Sequence, residues 1–160
     1  MGPLVSKEQQ ERVQRYIEIG SREATLAAQG TAPADPKLAS GYFVPPTIFA
    51  DVSNDSRIAR EEIFGPVMSV IPFESGDEVL ALSNDSEYGL AAAVWTRDIK
   101  KAINTARALR AGIVWINDTQ PAPTEAPWGG YKQSGIGREL GSHGLEDYLE
   151  TKHIYVNLAE

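Results

Sequence analysis

Residues 90–117 read LAAAVWTRDIKKAINTARALRAGIVWIN. Two short apolar runs, AAAVW and GIVWI, stand on either side of a polar stretch, residues 98–110, that reads as helix. Their length and β-branched and aromatic content make residues 90–96 and 112–117 strand candidates. Near-continuous apolar strands suit a sheet covered on both faces. Strand, helix, strand in that order argues for parallel pairing through a helical crossover.

The same alternation extends toward the N-terminus. Residues 76–83 read as helix and 67–73 as strand, and Ser56 is placed to cap a short helix ending near Phe64. Residues 42–49 are aromatic and β-branched, but Pro45 and Pro46 interrupt them, which predicts an edge or irregular strand. Residues 31–40 read as a surface loop, and 24–28 as a short buried strand closed by Gly30. Ser6 followed by Gln9 forms a capping-box pattern, after which Val13, Tyr16, Ile17 and Ala24 recur at helical spacing, with Gly20 a candidate stop. Toward the C-terminus the pattern changes. Residues 119–127 are proline-rich and 129–144 glycine-rich, both loops by composition, and 151–158 (TKHIYVNL) alternate weakly as an exposed strand. The expectation is an α/β fold with a mainly parallel sheet covered by helices.

Composition narrows the function classes. At 160 residues, 42% hydrophobic and 23% charged, the chain has the balance of an ordinary globular domain able to bury a core. A net charge of -7 argues against a nucleic-acid partner. Without cysteine there is no disulfide framework and no thiolate metal site, and His143 and His153 alone make no metal cluster. No apolar run approaches the ~20 residues of a membrane helix. No secretory signal pattern is present, and a cytoplasmic location is expected. MGPLVS at the start resembles a myristoylation pattern but carries Pro3 beside the acceptor glycine. Asn54, Asn84 and Asn117 each begin an N-x-S/T sequon and are read as turn and cap residues.

Two motifs carry chemistry. In residues 61–67, EEIFGPV, a carboxylate can accept two hydrogen bonds from a vicinal diol and an aromatic ring can pack on a flat heterocycle; glycine and proline turn the chain into the next strand. Residues 129–139, GGYKQSGIGRE, suggest a phosphate loop, but the Walker spacing before Lys132 is missing and so is the G-x-G-x-x-G spacing. A tight backbone crossing that requires small residues is the reading the spacing favours.

Together these motifs resemble the aldehyde dehydrogenase superfamily. So do GPLVSKEQ (2–9), GYFVPPTIF (41–49), YGLAAAVWTRD (88–98), ALRAGIVWIN (108–117) and LETKHIYV (149–156), in this order. The resemblance covers nearly the whole chain but only the last third of a typical member, and it places Met1 at an internal position. It implies residues 1–145 as the C-terminal portion of the catalytic domain and 146–160 as an oligomerisation tail ending in an extended strand. It implies NAD or NADP as cofactor. Glu62 would hold the nicotinamide ribose hydroxyls, Phe64 would pack beside the nicotinamide, and Trp128 would line the substrate tunnel. PWGGYKQSGIGREL (127–140), with tryptophan at 128, looks closest to betaine-aldehyde dehydrogenases, with amino-aldehyde relatives as the alternative. An aromatic face there suits a trimethylammonium group through cation–π attraction.

The family's thiolate nucleophile, its general base and its dinucleotide-binding domain precede the matched region, so no residue of this chain is assigned a catalytic role. The chain is expected to be inactive alone; a small aldehyde is the expected substrate of the intact enzyme, and a homo-oligomer or the missing N-terminal part is the expected partner. A non-catalytic assembly module pairing with aldehyde dehydrogenase subunits is the alternative. A small enzyme of other chemistry, with Glu62 and His143 as candidates, is a third reading.

Overall fold

The computed structural model describes residues 1–159; Glu160, the last residue of the expected tail, lies outside them. The chain divides into two compact units, Met1–Ser75 and Gly76–Glu160.

The first unit is built on α1 (Lys7–Glu23), whose N-cap Ser6 accepts a hydrogen bond from the Gln9 amide at 3.2 Å. It continues with β1 (Thr25–Gln29), a 3₁₀ turn (Pro36–Leu38), β2 (Thr47–Ala50), α2 (Arg57–Arg60) and β3 (Val67–Ser69). The three strands form one sheet in the order β1-β2-β3, antiparallel at β1–β2 and parallel at β2–β3. The core is Val13, Tyr16, Val44, Phe49, Val52, Ile58 and Ile63, with Val13 and Phe49 fully buried. Thr47, the buried polar residue, donates to the Pro45 carbonyl and accepts from Gln29 Nε2, so its burial leaves no hydroxyl unsatisfied.

Several sequence expectations are corrected here. Gly20 does not stop α1, which runs to Glu23; its missing side chain makes room for the Phe49 ring, which a Cβ would approach to 2.6 Å. β1 is exposed along its length rather than buried, because it is the outer strand of the sheet. The strand expected at the edge over 42–49 begins only after the prolines and is the central strand, since Thr47, Ile48 and Phe49 retain the N–H groups a ladder needs. Ser56 stands at the N-cap of α2, but its hydroxyl bonds the Ser53 carbonyl instead of capping.

The second unit contains α3 (Gly76–Asn84), β4 (Tyr88–Gly89), β5 (Ala91–Val94), α4 (Ile99–Ala108), β6 (Ile113–Ile116), β7 (Tyr131–Lys132) and α5 (Gly141–Glu146). β5 and β6 pair in parallel across α4, as the 90–117 pattern predicts; Asp98 caps α4 through the Lys101 amide at 3.0 Å. β4 and β7 pair antiparallel. The expected single, mainly parallel sheet is thus replaced by three short ladders, with two parallel and two antiparallel pairings among the described residues. Parallel pairing holds where a helix bridges consecutive strands, at β2–β3 and β5–β6. The tail, residues 151–159, joins no ladder and is exposed throughout. The glycine-rich segment makes the close crossing read from its composition: a Cβ on Gly112 would collide with the Gly129 carbonyl group and lie 3.2 Å from Gly130 Cα.

Candidate functional site

In the first unit, residues 61–65 leave α2 and turn toward β3. One face of α1 holds this loop. Arg12 Nη2 donates to the Glu62 carbonyl at 2.7 Å, and Gln9 Nε2 donates to the carbonyls of Ile63 and Phe64 at 3.1 and 2.9 Å. Val13, on the same face, packs where Gly65 has no side chain. Three successive loop carbonyls are therefore taken by two side chains three residues apart on one helix.

The two glutamates of the motif have different surroundings. Glu61 is committed internally: its carboxylate accepts from Tyr16 Oη at 2.6 Å and pairs with Arg57 through bonds of 2.7 and 2.9 Å. The hydrogen bonds from Arg57, then that from Tyr16, hold its pKa down to about 2. The same bond to Glu61 raises the Tyr16 hydroxyl, and the Arg12 and Arg57 guanidinium carbons lie 5.3 and 5.8 Å from the Tyr16 ring centroid. Glu62, in contrast, is exposed, and its carboxylate has no hydrogen bond or ion pair among the described residues.

A pH dependence follows. The folded pKa of Glu61 lies below its ordinary 4.5, so the contribution of the ionised contact is complete above that value and is lost as pH falls through about 2. The side chain is 39% exposed, so solvent screening weakens the effect. The Tyr16 ring resonances should shift over this range, and Glu61→Gln should remove the step. An unchanged profile in the variant would contradict the assignment.

Phe64 is the second unusual residue. Its backbone φ is 55°, in the left-handed region that costs a non-glycine residue about 1–2 kcal/mol. The residue is 76% exposed. A strained backbone held by side-chain hydrogen bonds, presenting an aromatic ring to solvent, is the kind of outlier that accompanies a binding site. Beside it, Glu62 and Phe64 line a cavity of about 410 Å³ with Gln9, Arg12 and Arg15 of α1. Glu8 also lines it, so two carboxylates face two guanidinium groups; the unpaired Glu62 carboxylate and the open Phe64 face fit a ligand that carries vicinal hydroxyls and a flat ring.

In the second unit, Trp128 and Glu139 exchange backbone N–H···O bonds of 2.7 Å in both directions, closing the loop between them. The Trp128 ring lies 6.1 Å from that of Trp115, tilted by 50°. Trp115 is itself held by its indole N–H on the Pro121 carbonyl at 3.0 Å. The two indoles, with Ile113, Pro121, Pro123 and Ala126, line an almost wholly apolar cavity of about 290 Å³. Lys132, the lysine of the phosphate-loop reading, is turned inward onto the carbonyls of Asn84 and Ser86. His143 lies on α5 with Nδ1 3.7 Å from Glu146. The amides of Asn84 and Asn117 are engaged with Ala108 and Thr96, in keeping with cap and turn roles at these two sequons. No helix among the described residues is long and apolar enough to cross a membrane.

Of the residues singled out from sequence, Glu62 and Phe64 share one cavity in the first unit, and Trp128 lines an aromatic wall in the second. Arg12 and Trp115 were not anticipated, and Gln9, read as the reciprocal partner of a capping box, instead turns its side chain to the loop carbonyls. Gln9 and Arg12 flank the apolar stripe of α1 at helical spacing, the signal from which a loop-facing role is legible once residues 61–65 are known to pack there.

Comparison with known proteins supplies the family context. The profile described as Aldehyde dehydrogenase family matches residues 1–154. The chain is 54% identical over 157 residues to a betaine aldehyde dehydrogenase of Bacillus subtilis (strain 168), covering 98% of this chain and 32% of that protein. It is 48% identical over 159 residues to an NAD(P)+ aldehyde dehydrogenase of Saccharomyces cerevisiae, covering 99% of this chain and 31% of that one. Among solved structures, betaine aldehyde dehydrogenase from Staphylococcus aureus in complex with NAD+ superimposes with a TM-score of 0.91 at 49% identity, over 96% of this chain and 31% of that chain. The NAD+ complex of an aldehyde dehydrogenase from Bacillus cereus gives a TM-score of 0.91 at 56% identity, over 99% of this chain and 32% of that chain. The chain thus spans about a third of the length of the curated relatives it matches.

Proposed function

Because the chain belongs to the aldehyde dehydrogenase family, we propose that it is the C-terminal part of an NAD(P)-dependent enzyme that oxidises a betaine-aldehyde-like substrate to the carboxylic acid. The observation that carries this reading is the Glu62–Phe64 pair: an uncommitted carboxylate and an exposed ring on a loop whose three carbonyls α1 holds in place.

The two oxygens of Glu62 accept the nicotinamide ribose hydroxyls, and Phe64 packs beside the nicotinamide. When bound, the nicotinamide accepts the hydride that the aldehyde carbon gives up. Trp128 contributes an aromatic wall to the substrate tunnel, where its π face attracts a quaternary ammonium group that no hydrogen-bond donor can hold. Residues 1–145 belong to the catalytic domain, and 146–160 dock on a second subunit.

The reaction also needs a nucleophile and a general base. In the family the nucleophile is a cysteine thiolate, and this chain has no cysteine. Both groups therefore come from residues outside it, and the chain alone is inactive. With betaine aldehyde and NAD+ or NADP+, the purified chain should show no aldehyde-dependent rise in absorbance at the reduced-nicotinamide band. A rate above blank that persists through repurification would overturn this reading.

The exposed tail is compatible equally with a second reading, an assembly module without a catalytic contribution. Ile154, Tyr155, Val156 and Leu158 are between 65% and 87% exposed, an apolar series suited to pairing with another chain. Dependence of hydride transfer on Glu62 separates the two.

A further inference from the structure

We propose that Lys132 is a positioning residue: its ammonium group moors the loop that carries Trp128 to the C-terminal end of α3. The consequence for substrate choice rests on the reading of Trp128 as a tunnel wall; the mooring itself does not.

Lys132 Nζ donates to the carbonyl oxygens of Asn84 and Ser86 at 2.9 and 2.8 Å. Asn84 is the last residue of α3, where terminal carbonyls and the helix dipole favour cations; Arg110 Nη2 shares the Asn84 carbonyl at 3.1 Å, and Lys132 adds the bond to Ser86. The Asn84 side chain also accepts from the Arg110 amide at 2.7 Å and donates to the Ala108 carbonyl at 2.9 Å. One lysine thus ties the loop to the end of α3 and, through Asn84, to the end of α4.

The rest of the loop needs this tie. Residues 128–139 are closed at their base by the Trp128–Glu139 pair, and Arg138 Nη1 bonds the carbonyls of Gly130 and Gly137 at 3.0 and 2.6 Å. Toward the tip, the β4–β7 ladder is only two residues long. The Gln133 amide bonds the Glu87 carbonyl at 2.9 Å, and Ser134 Oγ accepts from the Gly89 amide at 3.0 Å. Lys132 itself sits at φ 55°, strained for a side-chain-bearing residue. Its two charge-assisted bonds oppose relaxation of that backbone. Without them the loop relaxes at residues 131–133, and Trp128, four residues away, loses its place against Trp115.

The Trp115–Trp128 pair supplies a direct readout, because close, tilted indoles couple in circular dichroism. In a Trp95→Phe background, which removes the remaining tryptophan, Lys132→Met should lose most of the pair signal. Exchange of the Gly89 and Gln133 amides should quicken by about tenfold or more. Lys132→Arg, which retains donors and charge, should keep both near the parent. Should the Met variant unfold the unit, Lys132→Gln, which loses the charge but keeps a side chain and the same φ strain, should remain folded with the pair signal weakened and the two amides exchanging faster. A pair signal and exchange rates unchanged in Lys132→Met, or in Lys132→Gln where the Met variant unfolds, would overturn the mooring. In a chimaera with this chain in place of the matching third of the Bacillus subtilis enzyme, Lys132→Met should lower the preference for a cationic over an uncharged aldehyde toward the level of Trp128→Ala. Loss of the pair signal with selectivity unchanged in both variants would uphold the mooring and reject the tunnel-wall role of Trp128.

Discussion

Gly112→Ala should destabilise the second unit by about 3 kcal/mol or more, although it adds a single methyl group. The Cβ would fall on the Gly129 carbonyl group, 2.8 Å from its carbon and 3.2 Å from Gly130 Cα. All of these are backbone atoms, and no side-chain rotation relieves the contact. Overpacking usually costs about 1–3 kcal/mol and more where nothing can yield. Here either β6 must lift from its ladder with β5 or the 128–139 loop must move away. Residue 112 also donates its amide to the Gly89 carbonyl at 3.0 Å, which fixes its position further. Trp95, Trp115 and Trp128 all lie in the second unit, so tryptophan fluorescence in a urea titration reports on it alone. Gly76→Ala, where a Cβ meets nothing within 4 Å, serves as control and should stay within about 0.5 kcal/mol of the parent. A midpoint for Gly112→Ala equal to that of the control would show that the crossing is looser than its atoms imply.

That crossing shows what can be read from sequence and what cannot. Glycine density at 129–144 announces close backbone approach, but only the fold shows that the partner is Gly112, seventeen or more residues upstream. The strand–helix–strand unit at 90–117 was legible because its two apolar runs and the polar helical stretch between them agree locally; the Asp98 cap is seen only in the structure. Gly20 misled for the opposite reason. Propensity treats glycine as a helix stop, whereas here a ring 29 positions away, Phe49, requires its small size. The placement of β1 and β2 in their sheet was not legible either, since edge and centre are decided by which strands come to pair.

At the candidate site, residue types were legible and their division of labour was not. EEIFGPV contains two adjacent glutamates, and nothing local separates them. The separation comes from Tyr16 and Arg57, 45 and 4 residues from Glu61, which take up its carboxylate and leave that of Glu62 free. The left-handed backbone at Phe64 and its support by Gln9 likewise depend on α1 packing over the loop.

Glu62→Gln carries the second large effect. A carboxylate accepts two hydroxyl hydrogen bonds as an ion, and charge-assisted bonds are roughly twice as strong as neutral ones. Replacing one oxygen by an amide turns an acceptor into a donor and removes the charge. A loss of about 1.5–3 kcal/mol in positioning corresponds to hydride transfer slowed by roughly 10- to 100-fold. Folding should be unaffected, because the Glu62 side chain makes no contact on which the loop depends; Arg12 holds its backbone carbonyl. The decisive measurement is single-turnover hydride transfer by the chimaera carrying Glu62→Gln, followed at saturating NAD+ beside the unsubstituted chimaera. The account predicts a hydride step at least about tenfold slower with unchanged thermal unfolding; a hydride step of equal rate would remove Glu62 from the cofactor site and contradict the function assigned to this chain.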